Sequence, residues 1–200
     1  MCIICISEKG VKQPKKDLLR SMFLANPHGA GFMWAGRDKK VHISKGYMTF
    51  EEFWQAVSSA RFTKNDVVVY HFRISTQAGV NPQMTQPFGF TNDIVKTKAL
   101  DVVADLGIAH NGIIRAFSDP TDKEYSDTAH FVAEFLSETV HNSKDLSSEF
   151  LDALARYTNS RFTFLDGKGR IYTAGDFIED HDGLLFSNYS YRRFTFRRVS

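Results

Sequence analysis

Cysteine is scarce in this chain, with two residues in 200. That excludes a disulfide framework, and no second Cys pair exists to complete a four-ligand zinc site. A reducing compartment suits such a chain. No run of 18 apolar residues occurs and no secretory leader follows Met1, so a soluble, cytoplasmic protein without a membrane partner is expected. A net charge of only +2 gives no reason to expect a strongly charged partner. No repeat, low-complexity linker or domain break interrupts the sequence, and the spacing of His and carboxylates points to no metal. Neither a metal nor a cofactor is expected.

What is present fits one domain over residues 1–200. Hydrophobic residues at 42% and charged residues at 24% are ordinary for a globular core of this length. Eighteen phenylalanines suggest sheets packed through aromatic side chains. The apolar run after Cys2 reads as a buried strand, and 17–25 as a helix stopped by Asn26-Pro27. Gly31 to Trp34 and Val41 to Ser44 read as a hairpin. Thr49 and Glu52 form a capping box for a helix reaching Ala60. Val67 to Arg73 is the strongest strand. Ser75 to Asp101 reads as a long irregular stretch, a candidate lid. Ala104 to His110 and Gly112 to Ala116 look like strands joined by Asn-Gly, a favourable hairpin turn. Ser126-Asp127-Thr128 opens an amphipathic helix, Ser147 to Tyr157 forms another, and the remainder reads as strand. Blocks of strand and helix with sheet at both ends imply an α+β fold.

Cys2 is the residue of greatest chemical interest. A small residue at position 2 favours removal of Met1, which would leave Cys2 with both a thiol and a free α-amine. That amine has an ordinary pKa of about 7.7–8.0, so it can act as a base beside the nucleophile it is attached to. A redox or metal role for Cys2 with Cys5 is disfavoured, because residues three apart on a strand point to opposite faces.

Four stretches then stand in order: Cys2, His71-Phe72-Arg73-Ile74-Ser75-Thr76, His110-Asn111-Gly112 and Ser126-Asp127-Thr128. With Gln86-Pro87-Phe88, the loop Asn26-Pro27-His28-Gly29-Ala30-Gly31 and the segment Phe186-Ser187-Asn188, they resemble the class II glutamine amidotransferase domain. That family belongs to the N-terminal nucleophile hydrolases. The glutaminase domains of amidophosphoribosyltransferase and glucosamine-6-phosphate synthase are its familiar versions. The resemblance runs from Cys2 to about Asn188 and implies a four-layer αββα sandwich. It departs from the synthase-type members where Gln77-Ala78-Gly79 follows Thr76, and where Ile74 replaces a Trp or Tyr.

By this resemblance Cys2 attacks the glutamine side-chain amide, and the Asn111 side-chain amide with the Gly112 N–H receives the oxyanion. Arg73 takes the substrate carboxylate, Asp127 its ammonium, and Thr76 lines the pocket. Arginine's planar fork suits a carboxylate. His71 and His110 are expected to pack and orient rather than to act as bases. The resemblance implies a glutaminase subunit that takes L-glutamine and passes ammonia to a separate synthetase or transferase, since few residues follow Asn188. Two other functions compete. One is an amidase or acylase acting on another amide. The other is a non-catalytic module using the basic, aromatic tail from Tyr189 to Arg198 on nucleic acid, where a solvated edge strand is the plainer reading.

Overall fold

The computed structural model describes residues 1–75 and 78–192. Its strands are β1 (Ile3–Ser7), β2 (Ala30–Ala35), β3 (Val41–Tyr47), β4 (Val68–Phe72), β5 (Phe88–Gly89), β6 (Asp101–Ala104), β7 (Leu106–Asn111), β8 (Arg161–Asp166), β9 (Ile171–Ala174), β10 (Ile178–Glu179) and β11 (Leu185–Phe186). The helices are α1 (Lys16–Ala25), α2 (Phe50–Ala60), α3 (Asp127–His130), α4 (Ser137–Thr139) and α5 (Ser148–Thr158), with a π-helical stretch, Phe131–Leu136, joining α3 to α4. Strands β10-β11-β1-β4-β2-β3-β6 form one sheet and β5-β7-β8-β9 a second. Every described pairing is antiparallel. The protein is therefore of mixed α+β class. No described helix is long and apolar enough to cross a membrane.

Alternation along β1 separates the cores. Ile3 and Cys5 pack with Leu19 and Met22 of α1 and Phe53 of α2, while Ile4 and Ile6 pack with Met33, Val69, Ala109 and Leu165 between the sheets. On the second sheet, Ile108, Phe162 and Phe164 pack under Phe131, Val132 and Leu136 of the π stretch and Leu151 and Leu154 of α5. Each fully buried side chain of this size contributes about 1.5–3 kcal/mol. The expected capping box is in place: Thr49 Oγ1 accepts from the Glu52 N–H, and a Glu52 carboxylate oxygen accepts from the Thr49 N–H.

Three expectations need correction. Asn111-Gly112 is not a hairpin turn. β7 continues through Asn111 and pairs with β5 and β8, and residues 112–116 form no strand. Upstream, the run read as one strand from Ala104 changes sheets at Asp105: β6 belongs to the first sheet and β7 to the second. The stretch Ser75 to Asp101 is also less open than expected. It carries two 3-10 turns, Pro82–Met84 and Ile94–Lys98, as well as β5, and it buries Met84, Thr85, Gln86, Phe88 and Thr97.

A lysine holds this stretch down. Lys45 of β3 is buried, and its Nζ donates to Gln83 O at 2.9 Å and Thr97 O at 2.8 Å while sitting 3.9 Å above the Phe88 ring. Burial pulls its pKa well down, with Arg73 adding to the fall. Two carbonyls and a ring face nevertheless match the three donors of an ammonium. Beside it the Gly46 N–H donates to Thr85 Oγ1 at 2.7 Å. In the final segment Tyr189 to Arg192 is not a strand, and Arg192 lies over the Tyr189 ring. The other tail arginines fall outside the described residues.

Candidate functional site

Cys2 immediately precedes β1, and both carbonyls around it are held. Asn188 Nδ2 donates to Cys2 O at 2.7 Å, and Asn26 Nδ2 donates to Met1 O at 2.8 Å and Phe72 O at 3.1 Å. The Cys2 thiol points to Ile74 O at 3.8 Å. Burial pushes that thiol up from its ordinary pKa. The bond to Ile74, the Arg73 guanidinium and the chain's α-ammonium pull it down, and Asp127 pushes with burial. The group is a thiol that must lose its proton as it reacts, so a base beside it matters.

Cys2, Arg73, Gly112 and Asp127 line one cavity of about 20 Å³, with Gln86, His110 and Thr128 in its wall. That is room for about one water molecule. Arg73 is brought there by the end of β4. Its N–H donates to Gly29 O at 2.8 Å and its carbonyl accepts from the His28 N–H at 3.1 Å, so the glycine-rich loop brackets it. The guanidinium Nη1 donates to Gly79 O at 2.8 Å. Burial pulls the Arg73 pKa down, opposed by Cys2 and Asp127.

Asp127 begins α3, whose N-cap Ser126 accepts from the Ala129 N–H at 3.2 Å. Its Oδ2 accepts from the Ile114 N–H at 2.7 Å, and its Oδ1 from the Thr128 N–H at 2.7 Å and the Thr128 hydroxyl at 3.3 Å. Burial pushes its pKa up against these bonds and Arg73. A carboxylate has about four acceptor positions, so one is left for a further donor.

Both histidines are neutral. Burial brings His71 and His110 each to a pKa of about 3. His71 Nε2 donates to His110 O at 3.1 Å. The His110 N–H donates to Gln86 Oε1 at 2.7 Å, its Nδ1 meets Thr128 Oγ1 at 2.8 Å, and its ring stacks on Phe162 at 4.6 Å. Gln86 Nε2 in turn donates to Thr128 Oγ1 at 3.3 Å. The Lys45-anchored stretch thus supplies Gln86, which joins β7 to the first turn of α3.

Gly112 is there for space. A Cβ at this position would lie 1.9 Å from Ser160 Oγ, inside any possible contact. Asn111 is fully buried and does not line the cavity; its Nδ2 donates to Ser187 Oγ at 2.9 Å. Thr76 lies outside the described residues. Sequence reasoning left Gln86, Thr128 and Ser187 without roles, although each stood inside a quoted motif. Among the described residues, the one group of three side chains spaced to hold a metal, Asp180, His181 and Asp182, touches none of this cavity. No protein-family model matches the chain, and no curated protein matches its sequence.

Proposed function

We propose that this protein is a glutaminase of the class II glutamine amidotransferase type, with Cys2 as its N-terminal nucleophile. The observation that carries this reading is the convergence of Cys2, Arg73, Gly112 and Asp127 on one cavity, from positions spread over 126 residues of chain. The two sheets packed face to face, with helices against their outer faces, are compatible with the four-layer αββα sandwich of N-terminal nucleophile hydrolases.

The chemistry runs as follows. Removal of Met1 frees the Cys2 α-amine, which takes the thiol proton as sulfur attacks the side-chain amide carbon of glutamine. The tetrahedral intermediate places its oxyanion at the Gly112 N–H and, once the Asn111 NH₂ turns from Ser187, at that amide; each such donor is worth about 3–4 kcal/mol. Collapse breaks the C–N bond, the amine returns its proton to the leaving nitrogen, and ammonia departs. Water then attacks the thioester, releasing glutamate and restoring the thiol. Arg73 exchanges Gly79 O for the substrate carboxylate, and the open acceptor position of Asp127 takes the substrate ammonium. Neutral His71 and His110 hold this frame. Ammonia passes directly to a synthetase or transferase site, because in water it would be protonated and lost.

The test is the intact mass of the purified chain before and after an electrophilic glutamine analogue. Loss of Met1 and one adduct on Cys2, absent in Cys2→Ala, is the expected result. A processed chain that stays unlabelled and releases no ammonia from glutamine overturns the reading and points to an amidase of another specificity.

A further inference from the structure

Four buried side-chain atoms among the described residues meet no hydrogen-bond partner: His71 Nδ1, His110 Nε2, Asn111 Oδ1 and Thr163 Oγ1. The Asn111 oxygen is the informative one, because its orphaning coincides with a second deficit next door. Ser187 Oγ accepts from the Ile4 N–H at 2.9 Å and from Asn111 Nδ2 at 2.9 Å. Two donors thus point into one hydroxyl, and the hydroxyl's own proton meets no acceptor among the described residues. A buried polar group left unpaired is costly, and here a donor and an acceptor are both unpaired within a single contact.

Exchanging the two ends of the amide pairs the Ser187 proton with the Asn111 oxygen. The ends of an asparagine amide are nearly the same size, so the exchange needs no movement of the chain. The Ser187 hydroxyl then donates to Asn111 Oδ1 while still accepting from Ile4. The Asn111 NH₂ turns to the side where the oxygen had no partner. It becomes a buried donor pair next to Gly112, whose backbone lines the Cys2 cavity. On the glutaminase reading, a buried donor at this place is what an oxyanion completes.

From this we infer that Ser187 is a positioning residue: by donating to Asn111 Oδ1, it fixes which end of the Asn111 amide faces the reaction centre. The inference rests on the glutaminase reading for its kinetic consequence, but not for the orientation itself. Ser187 is well placed for the task. Its N–H donates to Ile4 O at 3.0 Å and its hydroxyl accepts from the Ile4 N–H, so it is locked to the strand that begins beside the nucleophile. The next residue, Asn188, holds Cys2 O. The Ser187–Asn111 contact also ties the first sheet to the end of β7 in the second. One hydroxyl therefore sets the oxyanion donor relative to the strand that carries the thiol.

The experiment compares the processed wild-type chain with Ser187→Ala, Ser187→Thr, Asn111→Ala and the Ser187→Ala/Asn111→Ala double variant. Glutamine kcat and KM are measured alongside side-chain amide NMR of Asn111, assigned from its loss in Asn111→Ala. Ser187→Ala is expected to lower kcat about 10-fold or more with KM within about twofold, and Ser187→Thr, which keeps the hydroxyl, to recover most of it. The double variant should be no slower than Asn111→Ala alone, since Ser187 acts through that amide. Additive losses in the double variant, or an unchanged kcat in Ser187→Ala, overturn the inference. The spectrum decides independently of activity. Asn111 NH₂ protons without cross-relaxation to the Ser187 β-protons support the orientation, and strong cross-relaxation overturns it. Should wild type show the supporting spectrum and hydrolyse no glutamine, the glutaminase reading fails and the orientation stands.

Discussion

Arg73 and Gly112 carry opposite kinds of constraint, one chemical and one steric. The Arg73 guanidinium offers a flat pair of N–H groups, and a lysine at that position offers a single point charge. Arg73→Lys should therefore raise the glutamine KM about 10- to 100-fold, the value of one charge-assisted hydrogen bond, and leave kcat within about threefold. Steady-state kinetics check this, and an unchanged KM would mean that the carboxylate is held elsewhere. For Gly112 the limit is Ser160, whose Oγ would lie 1.9 Å from an added Cβ. Gly112→Ala should cost on the order of 1–3 kcal/mol through overpacking. Trimming the neighbour in Gly112→Ala/Ser160→Gly should restore at least half of the lost melting temperature. A double variant no more stable than the single would show that the strain lies elsewhere. These two residues also mark the limit of what sequence can reveal. Arginine's suitability for a carboxylate is a property of the side chain and is legible without coordinates. The need for glycine at 112 comes from a side chain 48 positions away. The local Asn-Gly pattern pointed to a turn because nothing local announces β8 as the partner of β7.

Among the elements, those built from local signals match their sequence pattern. Thr49 and Glu52 cap α2, Ser147 Oγ accepts from the Phe150 N–H to start α5, and the apolar runs become β1 and β4. The stretch 82–98 does not, because its order comes from Lys45, a residue of another element reaching two of its carbonyls. Lys45→Met keeps the aliphatic stem and removes three donors, leaving the carbonyl of buried Thr97 and that of Gln83 without their donor. It should lower the melting temperature by about 4 °C or more. It should also open this stretch to limited proteolysis before the rest of the chain, since the anchor is lost where few other bonds replace it. Cleavage that begins elsewhere would refute that role.

For the molecule as a whole, the nearest thing to a pH sensor is His130, at the junction of α3 and the π stretch. Its Nε2 meets Asp122 at 2.8 Å, its Nδ1 meets Glu134 at 2.5 Å, and the Tyr125 ring stands edge-on to it. Partial burial pulls the His130 pKa down, but the two carboxylates outweigh it and leave the pKa raised. Asp122 is lowered to about 2, chiefly by its bond to His130. A raised histidine contributes stability that is complete below its unfolded pKa of about 6.5 and fades as pH rises through the folded value. The lowered aspartate contributes stability above its unfolded pKa of about 3.9 and loses it as pH falls towards 2. The melting temperature should therefore decline by about 2 °C from about pH 6.5 towards pH 8, a modest change because the pair is partly solvated. Below about pH 6.5 it should fall as well, because buried, neutral His71 and His110 leave proton uptake to the unfolded chain. His130→Gln should flatten that alkaline decline in a calorimetric series. An equal decline in the variant would assign it to other groups.

The strand that follows Cys2 is also the place where the molecule closes on itself. β1 takes β4 on one side and β11 on the other, and the Ile4 N–H bonds to a hydroxyl 183 positions later. A growing chain acquires the first neighbour well before the second. Until Leu185 to Asn188 emerge, one edge of β1 stands open, the Cys2 carbonyl lacks Asn188, and nothing steadies Asn111. Contacts of such long sequence separation form slowly, because a long loop must close before they can. The Cys2 thiol is thus among the first groups made, and its surroundings are among the last assembled. A nascent chain carries the sulfur for most of its synthesis without the walls that later enclose it.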